Sequence, residues 1–413
     1  MAASKEFAVR APIFLAIVVA TVVFCACGSS DKSSFAPDGS ASGSSSSSGS
    51  RGSTGASGSS GASGSSGGSS GMDSGMVITP EGGTTAMGSA GCGKTSTLTF
   101  GQVPNENPNA GPGSGSGVGH GAGGWLTIQG NDAAKGRGFV VRLPDNYDNT
   151  KPYWLIFGFH WRGGTADQVD NGGTNGYWWS YYGLQRKSNA GTIFVAPQGI
   201  GGGWSDSSDL TFVDDMVSLI EQNYCVDTTH LVTTGFSWGA GMSYAIACAR
   251  AKVFHAAVLY EAGVLSGCEG GNDPIAYMQI EGLTDGTLPI GNSYSMRDKF
   301  VQNNGCTPID KALDKPGTTA EPPQPPPYVN PGGHICTNYA GCSAGHTLRW
   351  CVSQSDHGPG PIDGTSDLYN SCATPPKTCS ATCPCTWTPD DVWSWLTTAE
   401  PAGTSFQTPN ATQ

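Results

Sequence analysis

The sequence contains little charge, and basic residues are its scarcest charged type. Among 413 residues there are 20 Lys and Arg against 32 Asp and Glu, so the formal net charge is −12. Proteins that bind nucleic acid or anionic membranes present clustered basic residues, and no stretch of this chain clusters them. The composition therefore argues against nucleic acid and anionic membrane surfaces as partners.

An apolar run of full transmembrane length is also missing. The longest run, APIFLAIVVATVVFCAC at residues 11–27, is short for a bilayer-spanning helix and follows Lys5 and Arg10, which is typical of a secretory signal peptide. It ends in FCAC before GSSD, which resembles a bacterial lipoprotein cleavage site and predicts lipidation of Cys27. Ordinary signal cleavage and a single-pass anchor are the alternatives. We expect an exported protein, held at the outer envelope through a lipid at Cys27 if lipidation occurs.

The segment after the signal has almost no apolar residues. Residues 28–88 are dominated by Ser and Gly, which bury too little apolar surface to offset chain entropy and behave as a flexible tether. The remaining chain predicts one α/β domain over residues 89–400, followed by a flexible tail at 401–413.

One short stretch matches a nucleotide-binding pattern. Residues 88–97, GSAGCGKTST, fit the P-loop consensus G-x-x-x-x-G-K-[ST]. A working P-loop needs a buried strand before the glycines and a helix after them, and the flanking residues predict neither. We therefore expect no nucleotide, and we expect Cys92 to be one end of a disulfide at the start of the domain.

The cysteine pattern favours disulfides over metal. Of the fourteen cysteines, the twelve beyond the signal form an even number, which in an exported protein predicts up to six disulfides of unknown connectivity. The closest group is Cys372, Cys379, Cys383 and Cys385. It has no paired C-x-x-C and no histidine, and export favours oxidation, so we expect no metal.

Strand-length apolar runs alternate with helical patterns beyond Gly130. The predicted strands are 136–144, 153–159, 192–197, 230–235, 256–263, 276–282 and 347–355, and the predicted helices are 212–224 and 239–251. This alternation predicts an α/β fold with a mainly parallel, doubly wound sheet.

A nucleophile motif lies between one predicted strand and the next helix. Residues 235–239 read G-F-S-W-G, and G-x-S-x-G in this context places a serine on a sharp turn at the carboxyl edge of the sheet. Small residues follow it, as the close approach of the helix requires. We therefore predict Ser237 as a nucleophile rather than a structural turn residue.

A serine nucleophile needs a base, and the base needs an orienting acid, in the chain order Ser, Asp or Glu, His. His357 follows the last predicted strand in a Gly/Pro loop and is the predicted base; His334 and His346 are weaker candidates. Asp285 follows the predicted strand 276–282 and is the predicted acid. The rival carboxylates are Glu281, Asp273 and Asp356.

Two further predictions concern the surroundings of the serine. The oxyanion hole should combine the backbone N–H of Trp238 with one from the loop FHWRGGTAD, where we choose Trp161 and assign His160 to bracing the loop. The aromatic run GYWWSYYG could contact substrate through Trp178, Trp179, Tyr181 and Tyr182. A small hydrophobic cluster beneath a loop is the alternative interpretation of this run.

From about Gly91 onwards the chain resembles the secreted feruloyl esterases of the polyhydroxybutyrate depolymerase-like branch of α/β-hydrolases. The matching stretches include AGCGKT, YWLIFGFHWRGG, YCVDTTHLVTTGFSWGAGMSYAIACA, IEGLTDGTLPI and YAGCSAGHTLRWCVSQSDHG, in the family order. The resemblance implies an α/β-hydrolase fold and the triad Ser237, Asp285 and His357. It also suggests a Cys306–Cys342 disulfide. Because Cys351 lies close to the His357 loop, we expect it to pair with Cys225 or Cys248 near the nucleophile strand.

The resemblance implies a serine carboxylesterase that uses no cofactor. The expected substrate is a hydroxycinnamoyl ester on plant cell-wall xylan. Acetyl-xylan and polyhydroxybutyrate esters are the alternatives on the same triad. A non-catalytic polysaccharide-binding lipoprotein is the alternative from another class, and the presence of all three triad residues argues against it.

Overall fold

The computed structural model describes residues 77–78, 86–104, 122–129, 134–172, 177–188, 190–205, 207–308, 334–363 and 386–399. The strands are β1 (Val77–Ile78), β2 (Ala86–Met87), β3 (Gly124–Thr127), β4 (Gly138–Arg142), β5 (Tyr153–Phe159), β6 (Thr192–Pro197), β7 (Val226–Phe236), β8 (Ala256–Tyr260), β9 (Ala276–Gly282), β10 (His334–Asn338) and β11 (Leu348–Ser353). The helices are α1 (Ala166–Asn171), α2 (Leu184–Ser188), α3 (Ser207–Asn223), α4 (Trp238–Ala249), α5 (Tyr294–Asn303) and α6 (Thr388–Thr398).

Strands β3 to β11 form one nine-stranded sheet in the order β10-β11-β9-β8-β7-β5-β6-β4-β3. The neighbours from β11 to β6 are parallel, whereas β10, β4 and β3 pair antiparallel at the two edges. The short strands β1 and β2 form a separate antiparallel pair. The predicted mainly parallel sheet is confirmed, and the strand order is that of an α/β-hydrolase.

Both faces of the sheet are covered, which explains the continuous apolar strands in the sequence. Every residue of β5 is buried, and successive side chains point to opposite faces. Leu155 and Phe157 join a cluster with α3, α4 and α5, whereas Trp154 and Ile156 join a second cluster with α1, α2 and α6. The sheet is thus the middle layer of three.

The structure differs from the predicted elements in its helices and at the sheet edges. Helices α1, α2, α5 and α6 were not predicted. Strands β3 and β10 were not predicted, because β3 alternates buried and half-buried residues over only four positions and β10 is only partly buried. Helix α3 begins at Ser207, ahead of the predicted start at Phe212. The prediction missed the first turn of this helix because that turn is mostly polar. His334, which was predicted to lie in a loop, is the first residue of β10.

The segment that matches the P-loop pattern packs against the domain without forming a nucleotide-binding turn. Ser89 Oγ donates to the carbonyl of Tyr224 and accepts the N–H of Val226. Cys92 forms a disulfide with Cys225 at the start of β7. Residues 94–104 contain no helix, so the N-terminal helix dipole that a P-loop requires does not follow the glycines.

Four disulfides join described residues. They are Cys92–Cys225, Cys248–Cys268, Cys306–Cys342 and Cys336–Cys351. The structure contains the Cys306–Cys342 bond that the family resemblance suggested, but the suggested partners of Cys351 were wrong. Cys351 bonds Cys336 because the two stand directly opposite each other in the antiparallel pair of β10 and β11.

Several predictions fall outside the described residues. These are the lipidation site Cys27, the signal at 1–27, most of the tether at 28–88, the tail at 401–413, and Cys372, Cys379, Cys383 and Cys385. Within the part of the chain that the structure does describe, no helix combines the length and the apolar character needed to span a membrane.

Candidate active site

Ser237 lies on a strained bend between β7 and α4. Its backbone has φ 56° and ψ −117°, a region that side-chain-bearing residues rarely adopt. Two glycines make the bend possible. A Cβ on Gly235 would lie 2.3 Å from the carbonyl of Gly239, and a Cβ on Gly239 would lie 2.0 Å from the carbonyl oxygen of Phe159. The bend is therefore pressed against the carboxyl end of β5.

The structure brings Ser237, His357 and Asp285 into one hydrogen-bonded line. The Nε2 atom of His357 is 2.9 Å from Ser237 Oγ, and its Nδ1 is 2.6 Å from Asp285 Oδ2. Asp285 follows β9 and His357 follows β11, which are parallel neighbours, so both loops leave the same edge of the sheet. In this way His357 contacts Ser237, which is 120 positions away in the sequence, and Asp285, which is 72 positions away.

Asp285 is fixed by its own turn as well as by His357. Its Oδ1 accepts the backbone N–H groups of Thr287 and Leu288, at 2.7 Å and 2.8 Å. On the other side, the ring of His357 packs at 4.7 Å from the ring of Phe236. The imidazole is therefore held by a carboxylate on one nitrogen and by apolar packing on one face.

The rival acids and bases have other partners. Glu281 Oε1 accepts from the N–H of Ala262 and from Gln279, and Asp273 pairs with Lys252. Asp356 is exposed and accepts the backbone N–H groups of Gly286 and His357. The rival bases are engaged too: His334 contacts Asp363, and His346 contacts Ser343.

The loop that carries Trp161 lies beside the start of α4. A Cβ on Gly239 would lie 2.0 Å from the Phe159 carbonyl oxygen and 2.8 Å from that of His160, so the first turn of α4 packs directly against the start of this loop. The side chain of Trp238 is anchored separately, donating from Nε1 to the carbonyl of Trp204 at 2.7 Å.

His160 braces this loop from the inside. Its Nε2 accepts the N–H of Gly199, so Nδ1 carries the hydrogen and donates to the carbonyl of Trp161 at 2.7 Å. Burial lowers the pKa of His160 to about 4, which keeps the imidazole neutral and preserves this donor and acceptor pair. The arrangement agrees with the structural role expected for His160.

The prediction that Tyr181 and Tyr182 contact substrate was wrong. Both side chains are buried, Tyr181 donating to Asp170 Oδ1 and Tyr182 donating to the carbonyl of Phe159. Both join the core cluster on the α1, α2 and α6 face of the sheet, so the hydrophobic-cluster interpretation describes them correctly. The side chains of Trp178 and Trp179 lie outside the described residues.

Sequence reasoning missed Glu261, a buried carboxyl immediately after β8. It has φ 47° and accepts the N–H of Gly282 on Oε2. Its only sequence signal is an acidic residue at the carboxyl end of an apolar strand, the same position that Glu281 occupies in β9. That signal does not reveal which of the two reaches the predicted triad.

Two groups of described residues come close enough together to hold a metal ion. One comprises Cys336, Cys351 and Asp391, but its cysteines are joined in a disulfide and its carboxylate pairs with Arg349. The other comprises Glu261, Asp285 and His357, where the Nδ1 contact of His357 already occupies Asp285. Each group supplies only three protein residues, whereas a closed structural zinc site has four protein ligands.

A serine hydroxyl on a strained strand–helix bend, in line with an imidazole and a carboxylate on this sheet, defines a serine hydrolase of the α/β-hydrolase fold. No family model matches the chain. Solved structures show a weak likeness: acetyl xylan esterase from Aspergillus awamori has a TM-score of 0.40 at 15% identity, covering 57% of this chain and 94% of its own. A CE1 ferulic acid esterase from Anaeromyces mucronatus has a TM-score of 0.37 at 16% identity, covering 50% and 87%.

Sequence relatives are much closer. Feruloyl esterase C of Emericella nidulans is 40% identical over 241 residues, which cover 58% of this chain and 83% of the relative. Probable feruloyl esterase C of Aspergillus niger is 45% identical, with 56% and 80% covered. Feruloyl esterase D of Neurospora crassa is 35% identical, with 68% and 86% covered. The chain belongs to the feruloyl esterase family and is a serine carboxylesterase, as its sequence motifs predicted.

Proposed function

We propose that Ser237, His357 and Asp285 form the catalytic triad of an esterase that releases hydroxycinnamic acids from plant cell-wall xylan. The observation that carries the catalytic assignment is the pair of short contacts at His357, 2.9 Å to Ser237 Oγ and 2.6 Å to Asp285. Nucleophile, base and orienting acid are each within hydrogen-bonding reach of the next.

The reaction proceeds by two acyl transfers. Ser237 Oγ attacks the ester carbonyl while His357 Nε2 takes its proton, and Asp285 holds the imidazole in the tautomer that can accept it. The tetrahedral intermediate collapses, and His357 returns the proton to the departing alcohol oxygen. Water then attacks the acyl-enzyme, gives a proton to His357, and the acid leaves as the proton returns to Ser237.

The backbone N–H groups of Trp238 and Trp161 would hold the negative charge that develops on the carbonyl oxygen. Hydrogen bonds hold both segments in place: Trp238 Nε1 donates to the carbonyl of Trp204, and His160 Nδ1 donates to the carbonyl of Trp161. Donors fixed in advance do not need to reorganise during the reaction, which is the main source of their effect.

The substrate assignment depends chiefly on the relatives, which are named feruloyl esterases at 35–45% identity. Apolar side chains around the bend also suit an aromatic acyl group. The ring of Trp161 lies 6.2 Å from the ring of Phe236, and the exposed Leu265 packs against the first turn of α4 at Gly241. Acetylated xylan and hydroxybutyrate esters would need less apolar surface at this position.

The test compares methyl ferulate, acetylated xylan and short hydroxybutyrate oligomers on purified protein, with Ser237→Ala as the matched control. We expect methyl ferulate to have the highest kcat/KM and the control to be inactive. A fluorophosphonate should form one adduct, on Ser237. If hydroxybutyrate oligomers have the highest kcat/KM by about tenfold, the feruloyl assignment is wrong while the triad stands. Absence of the Ser237 adduct would contradict the triad and favour a binding protein.

We also propose that the protein is exported, because its apolar run at residues 11–27 has the form of a signal peptide. Lipidation at Cys27 would keep the domain at the envelope on its Ser/Gly tether. Metabolic labelling with a fatty acid should mark the full-length chain and leave Cys27→Ser unlabelled. Equal release of both forms into the medium without label would contradict the anchor but not export.

A further inference from the structure

A second carboxyl lies directly behind the proposed triad acid. Glu261 is fully buried, and it follows β8 with a positive φ that turns its side chain towards the loop of Asp285. Its Oε2 accepts the N–H of Gly282 at 2.6 Å. A carboxylate oxygen of Glu261, one of Asp285 and a ring nitrogen of His357 all lie within 4.8 Å of one another.

Among the oxygen atoms of these two carboxyls, one has no hydrogen-bond donor in the described part of the chain and can form a hydrogen bond only if it carries a proton itself. Asp285 accepts two backbone N–H groups on Oδ1 and the His357 ring on Oδ2, which requires an ionised carboxylate. Glu261 Oε1 is buried and receives no hydrogen bond from any described residue. Two adjacent buried carboxylates cannot both be charged without strong repulsion, whereas a proton on Glu261 would turn this oxygen into a donor.

The surrounding charges favour the protonated form of Glu261. The charged or titratable groups that face it from neighbouring elements are Glu281 of β9, Asp285 and His357. Burial, with a smaller effect of Glu281, raises the pKa of Glu261 well above its ordinary value.

We propose that Glu261 is a positioning residue that stays protonated and donates a hydrogen bond from Oε1 to Asp285. The inference rests on the proposed triad and extends it by one group: Ser237, His357, Asp285, Glu261. A neutral donor holds the Asp285 carboxylate in line with the imidazole without cancelling its charge. It also withdraws some negative charge from the atom that faces His357, and so moderates the basicity of the imidazole.

The test compares Glu261→Gln with Glu261→Ala in p-nitrophenyl acetate hydrolysis. The amide of Gln can still donate to Asp285 and accept from Gly282, so kcat should stay within roughly threefold of the wild type. Ala removes the donor, and we expect kcat to fall at least about tenfold while KM changes less than about twofold. The acid limb of the kcat/KM profile should move to higher pH in the Ala variant and stay in place in the Gln variant.

Glu281→Gln is the matched control, because it alters an equally buried carboxyl whose contacts are Ala262 and Gln279. It should leave kcat and the acid limb unchanged. Equal loss in the Gln and Ala variants of Glu261, unchanged kcat in the Ala variant, or a lower kcat with an unmoved acid limb would each overturn the proposal. Fluorophosphonate titration separates this result from failure of the triad: wild type without a Ser237 adduct rejects the triad itself.

Discussion

Gly239 decides whether the bend at Ser237 can form. A methyl group at this position would lie 2.0 Å from the Phe159 carbonyl oxygen, which is backbone and cannot rotate away. We expect Gly239→Ala to displace Ser237 from the Trp161 loop and to lower kcat by about 10², the typical cost of an ångström-scale misplacement. Ester hydrolysis kinetics alongside thermal denaturation would measure both effects.

Gly291→Ala is the control for this substitution. Its added methyl group meets no atom within 4 Å, and its backbone lies outside the left-handed region. It should behave like the wild type in both assays. A Gly239→Ala enzyme with unaltered kcat would mean that the bend tolerates displacement and that its tight packing is not needed for activity.

Asp285 should matter for the tautomer of His357 more than for folding. In Asp285→Asn, the amide oxygen can still accept the N–H groups of Thr287 and Leu288, but the amide nitrogen then faces His357 Nδ1. The imidazole must reverse its tautomer and can no longer accept the serine proton. We expect kcat to fall on the order of 10⁴ with the melting temperature nearly unchanged. A loss below about tenfold would contradict the orienting role.

Individual site residues were predictable where a motif fixes the backbone. G-x-S-x-G locates Ser237 because only that pattern fits the bend, and the chain order then leaves few choices for the base. Tyr181 and Tyr182 were mispredicted because aromatic composition does not reveal which side of a sheet a loop folds under. Glu261 was missed because its partner, Asp285, lies on another strand's loop.

A buried ion pair connects helix α1 to the edge of the sheet. Arg142 of β4 contacts both carboxylate oxygens of Asp170, at 2.8 Å and 2.9 Å, and Tyr181 donates to the same carboxylate. Asp170→Ala would leave the Arg142 charge buried without its carboxylate. We expect the free energy of unfolding to fall by about 3–5 kcal/mol, measured by urea denaturation.

Asp214→Ala is the comparison for the buried pair. Asp214 accepts from Arg250 with equally good geometry, but both side chains are partly exposed, 45% and 28% respectively. Solvent screens this pair, so its loss should cost no more than about 1 kcal/mol. Similar costs for the two variants would show that burial does not strengthen the α1 contact.

Strands β5, β6 and β9 were predicted to their boundaries, whereas β7 begins at Val226 rather than at residue 230 and the edge strands β3 and β10 were not predicted at all. β5, β6 and β9 are continuous apolar runs because helices cover both faces, and a run ends where the chain leaves the covered region. β10 carries no such signal, since it is partly exposed and is placed by its pairing with β11 and by the Cys336–Cys351 bond. Pairing between distant segments is not encoded in local periodicity.

Buried carboxyls make the stability of the molecule depend on pH. Burial raises the pKa of Glu281 to about 8, from an unfolded value of 4.5. Between about pH 4.5 and pH 8 the Glu281 carboxyl is protonated in the folded state and ionised in the unfolded state. The contribution of Glu281 to the free energy of unfolding therefore becomes less favourable to folding as pH rises through this range. Glu281→Gln removes that dependence.

The measurement is the free energy of unfolding of both proteins from pH 5 to pH 8. We expect the Gln variant to gain stability relative to the wild type as pH increases across this range. A constant difference between the two curves would mean that Glu281 is ionised in the folded protein, and a difference that shrinks with pH would reverse the assigned direction of its pKa shift.

The disulfides determine in which cellular compartment the recombinant enzyme should be produced. The Cys92–Cys225 bond joins residues that are 133 positions apart in the sequence, and three further bonds join described residues later in the chain. A reducing host cytosol would leave these thiols unpaired and the nascent chain open to wrong pairing. Recombinant production therefore belongs in a periplasm or secretory pathway equipped with thiol oxidases and isomerases.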